Sequence, residues 1–369
     1  MKLLFWVSFG ILFYIYLGYP LLLLILSKLI KKTHKIDKNF CPPVSLIIPA
    51  YNEEEVIEAK LKNSLSLDYP NEVEIILASD GSTDRTLELA SQFPKVNIKE
   101  FKNRKGKMAV LNEVLPQAKN EIIIFTDANA LFAQDALKKL VPHLSDARVG
   151  GVGGVKCITA DGKVGEHEEI YWKFENFLKE KESSIGSCFV DGAIYALKKE
   201  VYPFPKDNNI IMDDFAVSLG VINRNKRVVF EPKAVAYEGA SINSGDEFRR
   251  KMRILQGALT SICAFSIRPV WFQVISHKIA RWLTFIFMLT LFVSNLFIKN
   301  EFYSSFLLLQ MLFYGLALFG FVFEYFRRKP PNFIYFPFYF CLTSFAQIIG
   351  LFKYIGSKKY PPFWEKIER

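Results

Sequence analysis

Leu3 to Leu26 is almost wholly apolar, and three further apolar runs, Ile279–Ile298, Phe302–Phe326 and Phe333–Ile355, close the chain. The first is long enough to cross a hydrocarbon core about 30 Å thick. Apolar runs at both ends leave the middle of the chain to fold between membrane segments. Composition agrees: 51% of the 369 residues are hydrophobic and 35 are Phe, too oily for one soluble domain. No small-residue cleavage site follows the first run, so residues 1–27 read as a retained anchor. Lys28, Lys31, Lys32, Lys35 and Lys38 follow at once. By the positive-inside rule, what comes next is cytoplasmic.

At the other end, "KNE" joins 279–298 to 302–326, and Arg327, Arg328 and Lys329 then mark a cytoplasmic loop. The stretch before them, "RPVWFQVISHKIARW" (268–282), mixes Trp271, Phe272 and Trp282 with Arg268, Lys278 and Arg281. It reads as a helix lying in the bilayer interface. Four crossings would place the tail, 356–369, outside, whereas Lys358, Lys359, Lys366 and Arg369 favour the inside. Pro337 interrupts the 333–355 run, which leaves a re-entrant or interfacial course open.

Net charge is +10, and where the charge sits decides its meaning. The basic residues cluster beside the membrane runs, and the middle of the chain has no aromatic-basic stacking platform, so nucleic acid is excluded as a partner. Cys41, Cys157, Cys188, Cys263 and Cys341 are scattered and form no CxxC pair. That argues against a disulfide framework or a zinc site and fits a reduced compartment. His34, His143, His167 and His277 are equally dispersed, as ordinary surface or interface histidines.

From Pro43 to about Ile267 the chain is more polar, and apolar runs alternate with helical patterns, as in a β-α-β layer. Val44–Ile48 has no alternation, as expected for a strand buried on both faces. Pro49 ends it, and Asn52 can cap a helix opening with Glu53, Glu54 and Glu55. Val73–Ala78 is a second strand. Asp80 to Asp84, "DGSTD", then turn into a helix near Arg85, with Asp84 a candidate cap. Both strands end in polar turns at the carboxyl edge, where open α/β sheets bind ligands. Arg104, Lys105 and Lys107 surround Gly106 before another helix, which suits a phosphate or nucleotide, or else a solvated loop. A third strand, "IIIFTDANA", delivers Asp127 and Asn129 to one face, where two oxygens can approach one divalent cation. No GxGxxG follows the first strand, which argues against a dinucleotide-binding oxidoreductase.

"VSLIIPAYNEEEVI", "LASDGSTDRT", "RKGKMAVLN", "FTDANA" and "FVDGAIYALKKE" occur in an order that resembles family 2 glycosyltransferases. The resemblance covers about 43–267 and is similar to the branch holding catalytic subunits of cellulose, hyaluronan and poly-N-acetylglucosamine synthases. It implies a GT-A α/β domain with a mainly parallel sheet, flanked by transmembrane helices. It also implies donor contacts at Pro49, Tyr51, Glu53, Asp80, Lys107 and Asp127, with Asp80 on a uracil. Asp127 would be the first acid of a DxD motif, holding Mg²⁺ or Mn²⁺ together with Asn129, which replaces the second acid. In "IIMDDFAVSLG", Asp213 stands where Glu is usual and Asp214 matches the catalytic base, although either acid can also cap the helix. "RKMRI" falls where QxxRW is expected. Arg253 matches and would stabilise the leaving nucleotide, while Arg250 replaces Gln and Ile254 replaces Trp. Arg249, Arg250 and Lys251 read alternatively as a basic face on anionic lipid.

These implications amount to an inverting, metal-dependent transferase. It would take a nucleotide-sugar, of UDP type, and a lipid-linked or polysaccharide acceptor at the cytoplasmic face of the cell membrane. Membrane lipids and subunits of a polysaccharide machinery are its further expected partners. The changed QxxRW leans away from processive synthesis. A catalytically silent nucleotide-binding subunit of such a machinery is the alternative.

Overall fold

The structure is a computed structural model. It describes residues 1–159, 163–206, 210–240, 243–326, 328 and 330–356, with the side chains of 163–167 left aside. The basic tail from 357 onward, with Arg327 and Lys329, therefore lies outside the described residues, as does the side chain of His167.

Eight strands form one sheet: β1 (Val44–Ala50), β2 (Val73–Asp80), β3 (Val96–Phe101), β4 (Ile122–Phe125), β5 (Leu131–Phe132), β6 (Val149–Thr159), β7 (Tyr195–Lys198) and β8 (Arg227–Gly239). Their order is β3-β2-β1-β4-β7-β6-β8-β5. The pairs β3-β2, β2-β1, β1-β4 and β6-β8 are parallel, while β7 runs antiparallel to both its neighbours. Ile47, Ile76, Ile123 and Phe125 pack into a core on one face with Leu111 and Phe215. Leu46, Ile48, Leu77 and Ile124 pack on the other with Leu61 and Leu137. Burial on both faces is why these strands read as unbroken apolar runs.

Local expectations shift in several places. β1 continues through Pro49 to Ala50, because its ladder to β2 runs to Ser79 while its ladder to β4 has already ended at Ile47. Only one side of the strand still needs donors there. A strand the sequence reading lacked, β3, sits at the sheet edge, so "IIIF" is the fourth strand and not the third. The helix expected at Glu53 begins at Ile57. Asn52 is left-handed (φ 54°) and does not cap it. Instead its side chain accepts from the Thr83 amide at 2.8 Å and donates to Thr83 Oγ1 at 3.3 Å, tying the first turn to the second.

Among the described residues, three helices are long and apolar enough to cross a membrane: Lys2–Leu29, Glu301–Tyr325 and Asn332–Gly356. The last runs straight through Pro337. The expected 279–298 segment is instead split near Leu283. There Arg268–Trp282 meets Thr284–Leu296 at 57°, and only the bent pair taken as one unit would make a fourth span. Leu283 ends the first helix, with its amide shared between the carbonyls of Ile279 and Ala280. Buried polar contacts knit the apolar helices to the sheet layer. Tyr19 donates to Glu182 at 2.6 Å, and His277 sits between Glu182 (2.8 Å) and Glu175 (3.0 Å). Tyr339 donates to Glu247 at 2.9 Å. His277 and His143 are buried, His277 between Glu175 and Glu182 and His143 against Glu231, each partner distant in sequence.

Candidate active site

A cavity of about 220 Å³ opens at the carboxyl edge of β4 and is lined by Glu53, Lys107, Asp127, Asn129, Asp213, Asp214 and Arg253 among others. It thus gathers most of the candidate residues. Pro49, Tyr51 and Asp80 are not part of its lining.

Asp127 and Asn129 do not stand on a strand. β4 ends at Phe125, and the two residues lie in a turn closed by the Ala130 amide on the Asp127 carbonyl at 3.2 Å. The turn is clamped from below by Lys60, fully buried on the Ile57–Leu65 helix. Its ammonium donates to Thr126 Oγ1 at 2.8 Å and to the Ala130 carbonyl. Burial pushes the Lys60 ammonium down to about 7.

Lys107 opens the Lys107–Val114 helix and reaches across the cavity floor. Its ammonium lies 2.7 Å from Asp127 and 3.1 Å from Asp213. Burial alone would depress it, but the two carboxylates hold it well above its usual value. Asp213 and Asp214 open the Asp213–Asn223 helix, where partial positive charge favours acids. Asp213 is buried, and its Oδ2 finds no partner among the described residues. Its carboxyl is raised by burial, against the pull of Lys107. Asp214 accepts from the amides of Gly192 at 2.9 Å and Phe215 at 2.7 Å. Burial, with Asp213 and Asp191 nearby, pushes it up to about 7.

Asp80 is 3% exposed, and its carboxylate accepts from the amides of Lys105 (2.6 Å) and Gly106 (2.9 Å). It therefore anchors the basic loop on β2. Gly81 is required at this approach: its φ is +71°, and a Cβ would fall 2.9 Å from the Arg104 nitrogen. The Arg104 guanidinium covers the Tyr51 ring at 3.7 Å. Asp84 does accept from the Thr86 amide at 3.0 Å, and also from that of Glu54 at 3.1 Å.

The basic face expected on lipid is largely turned inward. Arg250 and Lys251 are 3% and 4% exposed. Arg250 pairs with Glu168 and Glu247, each at 2.6 Å. Glu247 lies three residues before Arg250 on the same helix, whereas Glu168 is remote in sequence. Arg249 pairs with Asp246 at 2.5 Å and keeps its side chain exposed.

Lining residues that sequence reasoning missed include Asp191, Gly192, Tyr171 and Trp172. "FVDGAIYALKKE" carried the first two as part of a motif without a role. A Cβ on Gly192 would lie 3.0 Å from Asp127 Oδ2, so a side chain there would crowd that carboxylate. This open cradle, one carboxylate and one amide oxygen fit a hard cation whose other ligands come from a diphosphate. Among the described residues no cluster of three or more His, Cys, Asp or Glu forms a self-sufficient metal cage.

The mixed sheet with an acid-lined cavity at its carboxyl edge has the GT-A architecture. Residues 45–203 match the family described as Glycosyl transferase family 2, so this segment carries that family's domain. Among curated proteins it is similar to poly-beta-1,6-N-acetyl-D-glucosamine synthase of Staphylococcus aureus (strain COL). The two are 26% identical over 237 residues, covering 62% of this chain and 57% of the relative. For the Staphylococcus epidermidis synthase the identity is 26% over 249 residues, 65% and 59% of the two chains. The chain thus spans less than two thirds of these relatives' length. A mannosyltransferase from Pyrobaculum calidifontis, solved with GDP-Man and Mn²⁺, shares the fold. Its TM-score is 0.72 at 23% identity, over 96% of this chain and all of that one.

Proposed function

We propose that the chain transfers a glycosyl group, with inversion, from a nucleotide-sugar to a lipid-linked or glycan acceptor at the cytoplasmic face of a multi-pass cell-membrane enzyme. The meeting of Lys107, Asp127, Asp213 and Asp214 in one cavity at the sheet's carboxyl edge carries this reading. Asp214 takes the proton of an acceptor hydroxyl as its oxygen attacks the anomeric carbon, and the nucleoside diphosphate departs. A carboxylate near 7 suits a base working at neutral pH. Lys107 and Arg253 face the departing diphosphate and offset its charge. Asp127 and Asn129 would hold Mg²⁺ or Mn²⁺ together with that diphosphate; the ion supplies positive charge where the leaving group gains negative charge. Asp80 acts through the loop it anchors, with Tyr51, Glu53 and Pro49 framing the nucleotide side.

The synthase relatives support a polysaccharide product, and the mannosyltransferase, with its GDP-Man and Mn²⁺, supports a metal-assisted nucleotide-sugar reaction. The departures at Asn129 and Arg250 favour a silent subunit, but they leave Asp214 and its setting in place.

The test is nucleotide release by the detergent-purified full chain from a panel of UDP- and GDP-sugars, with lipid extract as acceptor and Mn²⁺, Mg²⁺ or EDTA. Metal-dependent release from one donor is expected. Release from none would overturn the reading in favour of the silent subunit.

A further inference from the structure

Behind the carboxylates the cavity runs on toward the apolar helices. Tyr171, Glu175, Met212, Lys251, Ile254 and Lys278 line it and also a second cavity of about 30 Å³. This inner cavity is completed by Trp282, at the end of the bent helix, and Gln347, on the Asn332–Gly356 helix. The wall between the two cavities therefore joins the site to the membrane segments.

Two ammonium groups face both cavities, and neither is satisfied as its neighbours are. Lys251 is 4% exposed, yet its nearest carboxylate oxygen, on Glu247, is 3.6 Å away. Glu247 is already committed to Arg250 at 2.6 Å and Tyr339 at 2.9 Å. The Lys251 ammonium otherwise rests on the Tyr171 ring at 3.5 Å. Lys278 likewise stands 3.6 Å from Glu175, whose oxygens are taken by Arg281 and His277. A buried ammonium without a hydrogen-bonding anion is costly, and the buried Lys251 beside the half-buried Lys278, facing one space, makes a receptor for a compact anion. Met212, Ile254 and Trp282 set apolar surface beside it.

We infer that Lys251 and Lys278 form a subsite for a phosphoryl group carried by a lipid, the group that tethers the acceptor sugar to its membrane anchor. The inference rests on the transferase reading above and names its acceptor class. Anion beside apolar wall matches the head of a phosphorylated isoprenoid. A neutral glycan would leave both ammoniums unmet. The donor diphosphate is held on the other side, at Lys107 and Asp127.

The test uses the full chain in detergent, with thermal stabilisation as readout and three probes: farnesyl phosphate, farnesol and inorganic phosphate. Farnesyl phosphate is expected to bind at least tenfold more tightly than either of the others. Lys251→Met and, independently, the less buried Lys278→Gln are expected to lose that tenfold. Farnesol binding equally well, or both variants binding as the wild type does, would overturn the lipid-phosphate subsite. Inorganic phosphate matching farnesyl phosphate would assign the site to free phosphate and overturn the lipid source. Asp214→Asn separates the two readings. It is expected to retain farnesyl phosphate binding, so loss of transfer without loss of binding reports on the base alone.

Discussion

The ammonium of Lys107 lies 2.7 Å from Asp127. The same ammonium is 3.1 Å from Asp213, so one cation holds the expected metal-binding acid and the helix that carries Asp214. Lys107→Met would leave two carboxylates facing each other in a poorly solvated cavity. Removing one partner of a buried ion pair costs about 3–5 kcal/mol. Because this site is partly open, a loss of about 2 kcal/mol is expected in thermal or denaturant unfolding, with a rise in donor KM.

Asp214 sits near 7 in the folded chain and about 3.9 when unfolded. Between those values the folded state binds more protons, so this group lowers stability as pH rises through the window. Asp214→Asn is therefore expected to raise Tm by a few degrees at pH 8, with the gain vanishing by pH 4. Wild-type turnover should fall as pH drops below about 7, and a pH–rate profile checks this.

Gly192→Ala places a methyl 3.0 Å from Asp127 Oδ2. The expected result is a tenfold or larger rise in the Mn²⁺ or Mg²⁺ concentration giving half-maximal activity. Thermal unfolding should change little.

Arg250→Gln restores the residue common at this position in the family but leaves Glu168 and Glu247 without their shared cation. A loss of about 3–5 kcal/mol is expected, measured by denaturant unfolding. A lipid-facing arginine would show no such loss.

Much of the sheet was legible because β1, β2 and β4 are buried on both faces and so appear as unbroken apolar runs. β3, "VNIKEF", escaped because an edge strand keeps polar residues on its open side. The identities of Lys107, Asp127, Asn129, Asp213, Asp214 and Arg253 were readable from motif order, and the structure brings them to one cavity. Their couplings were not. Asn52 serves Thr83 on the next turn and not its own helix, and Lys60 supports the Thr126–Ala130 turn from another helix. Arg250 takes the second of its two carboxylate partners, Glu168, from a distant helix. Each is a non-local contact that no window along the sequence contains.

Asp214 as the base of glycosyl transfer is tested by kcat and donor affinity of Asp214→Asn beside the wild type. In the variant kcat is expected to fall about 10²–10⁴-fold with donor affinity nearly unchanged. Turnover equal to the wild type, with the variant folded, would contradict it.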